Sequence, residues 1–77
     1  MTFEKALRIL PTFALHLTKG QTELPELRSR VQGYRKILED ELMEEIGRTH
    51  SQSFRTPKVL EIDRKMQQLE RFLEQTQ

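Results

Sequence analysis

The strongest constraint in this chain lies in its last third, "TPKVLEIDRKMQQLERFL" (residues 56–73), where Val59, Ile62, Met66, Leu69 and Leu73 recur at alternating steps of three and four. That spacing follows the helical repeat and puts all five side chains on one stripe, which must be buried. Thr56 is a good N-cap acceptor, and Pro57 fits the first helical position, where no N–H is needed. A helix over 57–75 is predicted. Glu61 and Lys65 stand one turn apart in the favourable order, worth about 0.2–0.5 kcal/mol. One stripe on one helix needs a second surface to cover it.

The middle of the chain supplies that surface. Leu24, Leu27, Val31, Tyr34, Leu38, Leu42 and Ile46 form a slowly drifting stripe, with Ile37 beside it, so a second helix is expected over 24–46. Thr22 or Glu23 would start it, Pro25 falls in its first turn, and Gly47 is expected as a left-handed stop. Gly33, inside it, costs up to about 1 kcal/mol against alanine and reads as a tolerated surface glycine or a close helix crossing. Between the helices, "GRTHSQSFRT" (47–56) is polar and aperiodic, a loop beneath which Phe54 is expected to tuck. A short connection between amphipathic helices returns the chain antiparallel, so residues 24–75 read as an antiparallel helical hairpin.

Residues 1–19 form an N-terminal helical segment: Phe3, Ala6, Leu10, Phe13 and Leu17 keep a heptad-like rhythm, with Leu7 and Ala14 alongside. Pro11 interrupts it, and an interior proline removes a hydrogen bond and clashes with the preceding turn, so the helix is kinked or broken there. Gly20 opens a polar linker over 19–23. The 77 residues contain no cysteine, so neither a disulfide nor a thiolate-bound metal can support so small a core. Either the first segment packs across the hairpin as a third helix or the hairpins pair as a homodimer, and the two are compatible; packing is expected. The fold class is all-α, one small helical domain spanning 1–77.

The polar positions exclude more than they select. Thirteen basic against twelve acidic residues leave a net charge of +1, which draws the chain neither to nucleic acid nor to a lipid surface. No run nears the length of a membrane span and no leader pattern is seen, so a cytoplasmic protein is expected. His16 and His50 are isolated, and no metal or cofactor is expected. Three features remain. Arg48, His50, Arg55 and Lys58 make a basic turn, and the acidic run "EDELMEE" (39–45) would polarise the hairpin end to end. On the last helix Asp63, Gln67 and Gln68 cluster with Arg64 and Arg71 on their flanks. A carboxylate or carboxamide on such a face could position a water in line with a phosphoryl group on another protein, which makes Gln67 and Asp63 the only catalytic candidates.

The stretches "TPKVLEIDRKMQQL" (56–69) and "ELRSRVQGYRKILEDELMEEIG" (26–47) resemble the two helices of the sporulation-linked aspartyl-phosphate phosphatases of Gram-positive spore formers. The resemblance covers about 50 residues and implies an antiparallel hairpin acting on a response regulator. The family's Ser-Gln-Glu-Leu-Asp motif is not preserved: Asp63, Arg64, Lys65, Met66 and Gln67 stand there. The expectation is a protein-binding helical module that regulates a partner, in this resemblance a response regulator. Its contact residues would be Asp63, Arg64, Gln67, Gln68, Arg71, Arg48 and Arg55. The alternative is a structural adaptor or small chaperone or assembly subunit completing another chain's helical bundle through Phe3, Leu10 and Phe13.

Overall fold

A computed structural model describes residues 1–49 and 56–77. The fold is all-α: α1 (Phe3–Ile9), a 3₁₀ stretch (Thr12–Thr18), α2 (Leu24–Thr49) and α3 (Pro57–Gln75). The long helices run antiparallel, since partners move down α3 as they move up α2. Arg28 meets Thr76, Arg35 meets Glu70, and Glu45 meets Lys58.

The boundaries of α3 follow from its caps. Thr56 Oγ1 accepts from the Val59 amide at 3.2 Å, with proline at the helix start, as the sequence predicts. The Glu61–Lys65 pair also forms, at 3.4 Å. At the other end the last turn carries no basic residue of its own, and the opposite helix supplies one. Arg28 Nε donates to Thr76 Oγ1 at 3.1 Å, while Thr76 Oγ1 donates to the Phe72 carbonyl at 2.9 Å. A cation at a helix C-terminus is favourable because the final carbonyls are unpaired. Arg28→Ala should therefore lower stability by about 1 kcal/mol and raise amide exchange in the last turn of α3, both readable by hydrogen exchange.

α2 begins as expected, with the Leu27 amide bonded to the Glu23 carbonyl at 3.2 Å. Its end corrects the sequence reading. Gly47 is helical and α2 continues to Thr49; the positive φ among the described glycines belongs to Gly20, at 77° in the linker. A glycine stops a helix only if the chain turns left-handed there, and Arg48 instead holds this last turn through Glu44 and Glu45. The loop residues His50, Phe54 and Arg55 lie outside the described residues.

Proline breaks the N-terminal segment. Leu10 is extended, at ψ 131°, because the residue before a proline is pushed out of the helical region, and Pro11 follows at ψ 142°. The break turns the chain without releasing it from the core: Ala6, Leu10 and Ala14 are all buried. Two alanines at these depths let the backbone lie close to the hairpin, while Phe3, Leu7, Phe13 and Leu17 pack half-buried around them. The segment thus packs across the hairpin as a third layer.

That layer widens the buried arc of α3. Val59, Ile62, Met66 and Leu69 are buried as expected, but the next buried residue is Phe72, 1% exposed, while Leu73 is only half-buried. Phe72 lies on the flank turned toward Ile9 and Pro11, with which it lines a shallow cleft. Leu27, Val31 and Leu38 complete the core from α2. Across its rim Arg35 donates to Glu70 Oε1 through Nε, at 2.9 Å, and through Nη2.

Candidate functional site

The residues opposite the buried arc of α3 make one continuous exposed surface. Leu60, Arg64, Gln67 and Arg71 follow at steps of four, three and four along its centre, with Asp63 on one flank and Gln68 on the other, and all six are exposed. The structure thus brings all five α3 candidates together. Leu60 joins them unforeseen. It is 49% exposed, and the signal was available in the sequence, since it stands a third of a turn off the Val59–Ile62 stripe.

Asp63 and Gln67 form a pair: Gln67 Nε2 donates to Asp63 Oδ2 at 3.1 Å, one turn away on the solvent side. The bond fixes the carboxamide and leaves its oxygen as the group able to accept from a water. Among the described residues nothing closes over the pair, and both side chains are exposed, so a reaction there would need a partner to supply the substrate and exclude solvent. Gln68 and Arg71 lie farther toward the C-terminus, where they line the cleft with Ile9, Pro11, Phe72 and Gln75. The polar face of α3 therefore runs directly into a trough walled by the N-terminal segment.

The other candidates are placed differently. Phe3 and Phe13 pack against the core; Phe13 lies 6.2 Å from the Tyr34 ring, and Lys65 Nζ sits 5.5 Å from the Phe13 ring centroid. Arg48 is exposed but engaged, at 3.0 Å from Glu44 and 3.8 Å from Glu45. Lys58 also reaches Glu45, at 3.6 Å. The basic turn is therefore answered by the end of the acidic run, and the expected end-to-end polarisation is reduced where the two helices meet. The other two members of that group, His50 and Arg55, lie outside the described residues.

Among the described residues no three His, Cys, Asp or Glu side chains converge as a metal site. No buried side-chain nitrogen or oxygen among them is left without a hydrogen-bond partner, so nothing buried is held in reserve for a ligand. No described helix is long and apolar enough to cross a membrane. Comparison with protein-family models, curated proteins and solved structures finds no match for the chain.

Proposed function

We propose that the chain is a protein-binding helical module that regulates its partner through the outer face of α3. The supporting observation is the exposed row Leu60, Arg64, Gln67 and Arg71. An apolar contact, two cations and a carboxamide held by Asp63 stand in register on a rigid, well-capped helix. Such a face binds by laying its side chains into a complementary acidic groove, and positions set on a helix are more exact than those on a loop. The partner class proposed is a phosphorylated receiver domain, whose acidic aspartyl-phosphate site suits Arg64 and Arg71, and for which Gln67 would orient a water.

The test is titration of a phosphorylated receiver domain with the chain, followed by heteronuclear NMR and by the rate of phosphate release. Binding should shift resonances of residues 60–71, and the double variant Arg64→Glu, Arg71→Glu should weaken it by at least about tenfold, since like charges replace attractive ones. Faster phosphate release that is lost in Gln67→Ala supports the catalytic version. Binding without faster release reduces the function to docking, and no binding overturns the reading. The alternative, a structural adaptor or assembly subunit, would have to use Phe3 and Phe13 while they stay half-buried against this chain's own core, with Leu10 buried in it.

A further inference from the structure

The outer face of α2 carries a pattern that neither the core nor the α3 surface explains. Glu26, Arg30, Gly33, Ile37, Glu44 and Arg48 fall on one side of the helix and all are exposed, Glu44 and Arg48 also bordering Lys58 at the start of α3. Ile37 is 55% exposed at the centre of this line, although α2 is otherwise charged or polar on this side. Ile37 also stands at the midpoint of the helix, Leu24–Thr49.

The charges are arranged around that midpoint with reversed sign. Arg30 lies seven residues before Ile37 and Glu44 seven after; Glu26 lies eleven before and Arg48 eleven after. At 1.5 Å per residue these pairs stand about 10 and 16 Å on either side of the isoleucine. A two-fold axis through Ile37 would therefore set Arg30 against Glu44 and Glu26 against Arg48, each twice, with the two isoleucines in contact. A two-fold interface requires this self-complementarity. A parallel pairing would instead stack each charge on its own copy. Overlap would also be complete, because the axis passes through the middle of the helix.

The surface near the centre suits a close crossing. Nothing lies within 4 Å of the position a Cβ would take on Gly33, and Gly33 and Ile37 line an open trough with His16, Leu17, Arg30 and Tyr34. The apolar wall from the N-terminal segment would flank the second helix. The four charges remain accessible: Arg48 and Glu44 keep 63% and 69% of their side-chain surface while paired with each other, and Glu26 and Arg30 are exposed, with the Gln21 amide within reach of both.

We infer that the chain self-associates as an antiparallel two-fold dimer through the outer face of α2, with Ile37 on the axis. This surface is separate from the α3 face, so the two proposals stand or fall independently. Sedimentation equilibrium of the chain from roughly 10 μM to 1 mM, spanning a weak to moderate affinity, should show the mass rising from 9.2 kDa toward twice that value, less so at high salt. Arg30→Glu or Glu44→Arg alone places two like-charge contacts in each dimer and should weaken association at least about tenfold. The double variant Arg30→Glu, Glu44→Arg should restore it. Ile37→Lys should abolish it, with far-UV circular dichroism confirming that each variant remains helical. A monomer throughout the range overturns the inference. So does a dimer that the single reversals leave unchanged, or one that the double variant fails to recover.

Discussion

Replacing Phe72 by alanine should remove about 3–5 kcal/mol of stability, the largest effect expected of any single substitution in this chain. Phe72 is the largest of the fully buried side chains, and it sits where α3 meets the N-terminal segment, so its loss leaves a cavity bounded on two sides by different elements. A domain of this size has in total roughly 4–12 kcal/mol, taking 0.05–0.15 kcal/mol per residue, so the variant should be close to half-unfolded at ambient temperature if the chain lies near the lower end. Leu73→Ala should cost much less, because Leu73 is half-buried at the rim. Chemical denaturation followed by circular dichroism compares the two directly. A larger loss at Leu73 would mean that the buried arc of α3 is the narrow hairpin stripe and that the third layer does not cover Phe72.

That comparison marks the limit of what periodicity reveals. The 3.6-residue rhythm places the centre of a buried face well, and Val59, Ile62, Met66 and Leu69 all lie where it puts them. It does not give the width of the face, which depends on how many elements pack against the helix. Two helices alone would bury Leu73 and leave Phe72 at the edge; a third layer on one flank reverses them. The same reasoning applies to Gly47. A glycine is permissive, and whether it ends a helix depends on what the next turn can pair with. Here Glu44 and Glu45 lie one turn before Arg48 and carry the helix on to Thr49. The C-terminal lock on α3 was likewise hidden, because its cation, Arg28, is 48 residues away from the threonine it meets.

The α3 surface was more legible than the basic turn for a related reason. Asp63, Arg64, Gln67, Gln68 and Arg71 lie on one helix, so their spacing alone brings them together, and the Asp63–Gln67 bond is an ordinary one-turn contact. Arg48 and Lys58 belong to two helices, and counting charge along 46–60 misses Glu45, which receives both. Charge near a helix junction has to be counted in space. The exposed isoleucine of α2 shows the opposite case: Ile37 reads as a neighbour of the buried stripe, but a helix with one partner on its inner side and a broken segment on its flank has no room to cover it.

Removing residues 1–20 should abolish cooperative folding of the remaining hairpin. The segment contributes Ala6, Leu10 and Ala14 to the core and covers Phe72 and the Tyr34 edge, where Phe13 and His16 lie 6.2 and 5.3 Å from the ring. Without it, about 57 residues would have to be held by one helix–helix seam, and cores below roughly 70 residues seldom suffice without disulfides, metals or association. The full chain should melt in a single transition by circular dichroism at 222 nm. The truncated chain should retain partial helicity that fades gradually from low temperature, because isolated amphipathic helices of this length are marginal in water. A truncated chain that still melts cooperatively within a few degrees of the intact one would return the N-terminal segment to the role of a docking surface, and Phe3, Leu10 and Phe13 to the face of a partner.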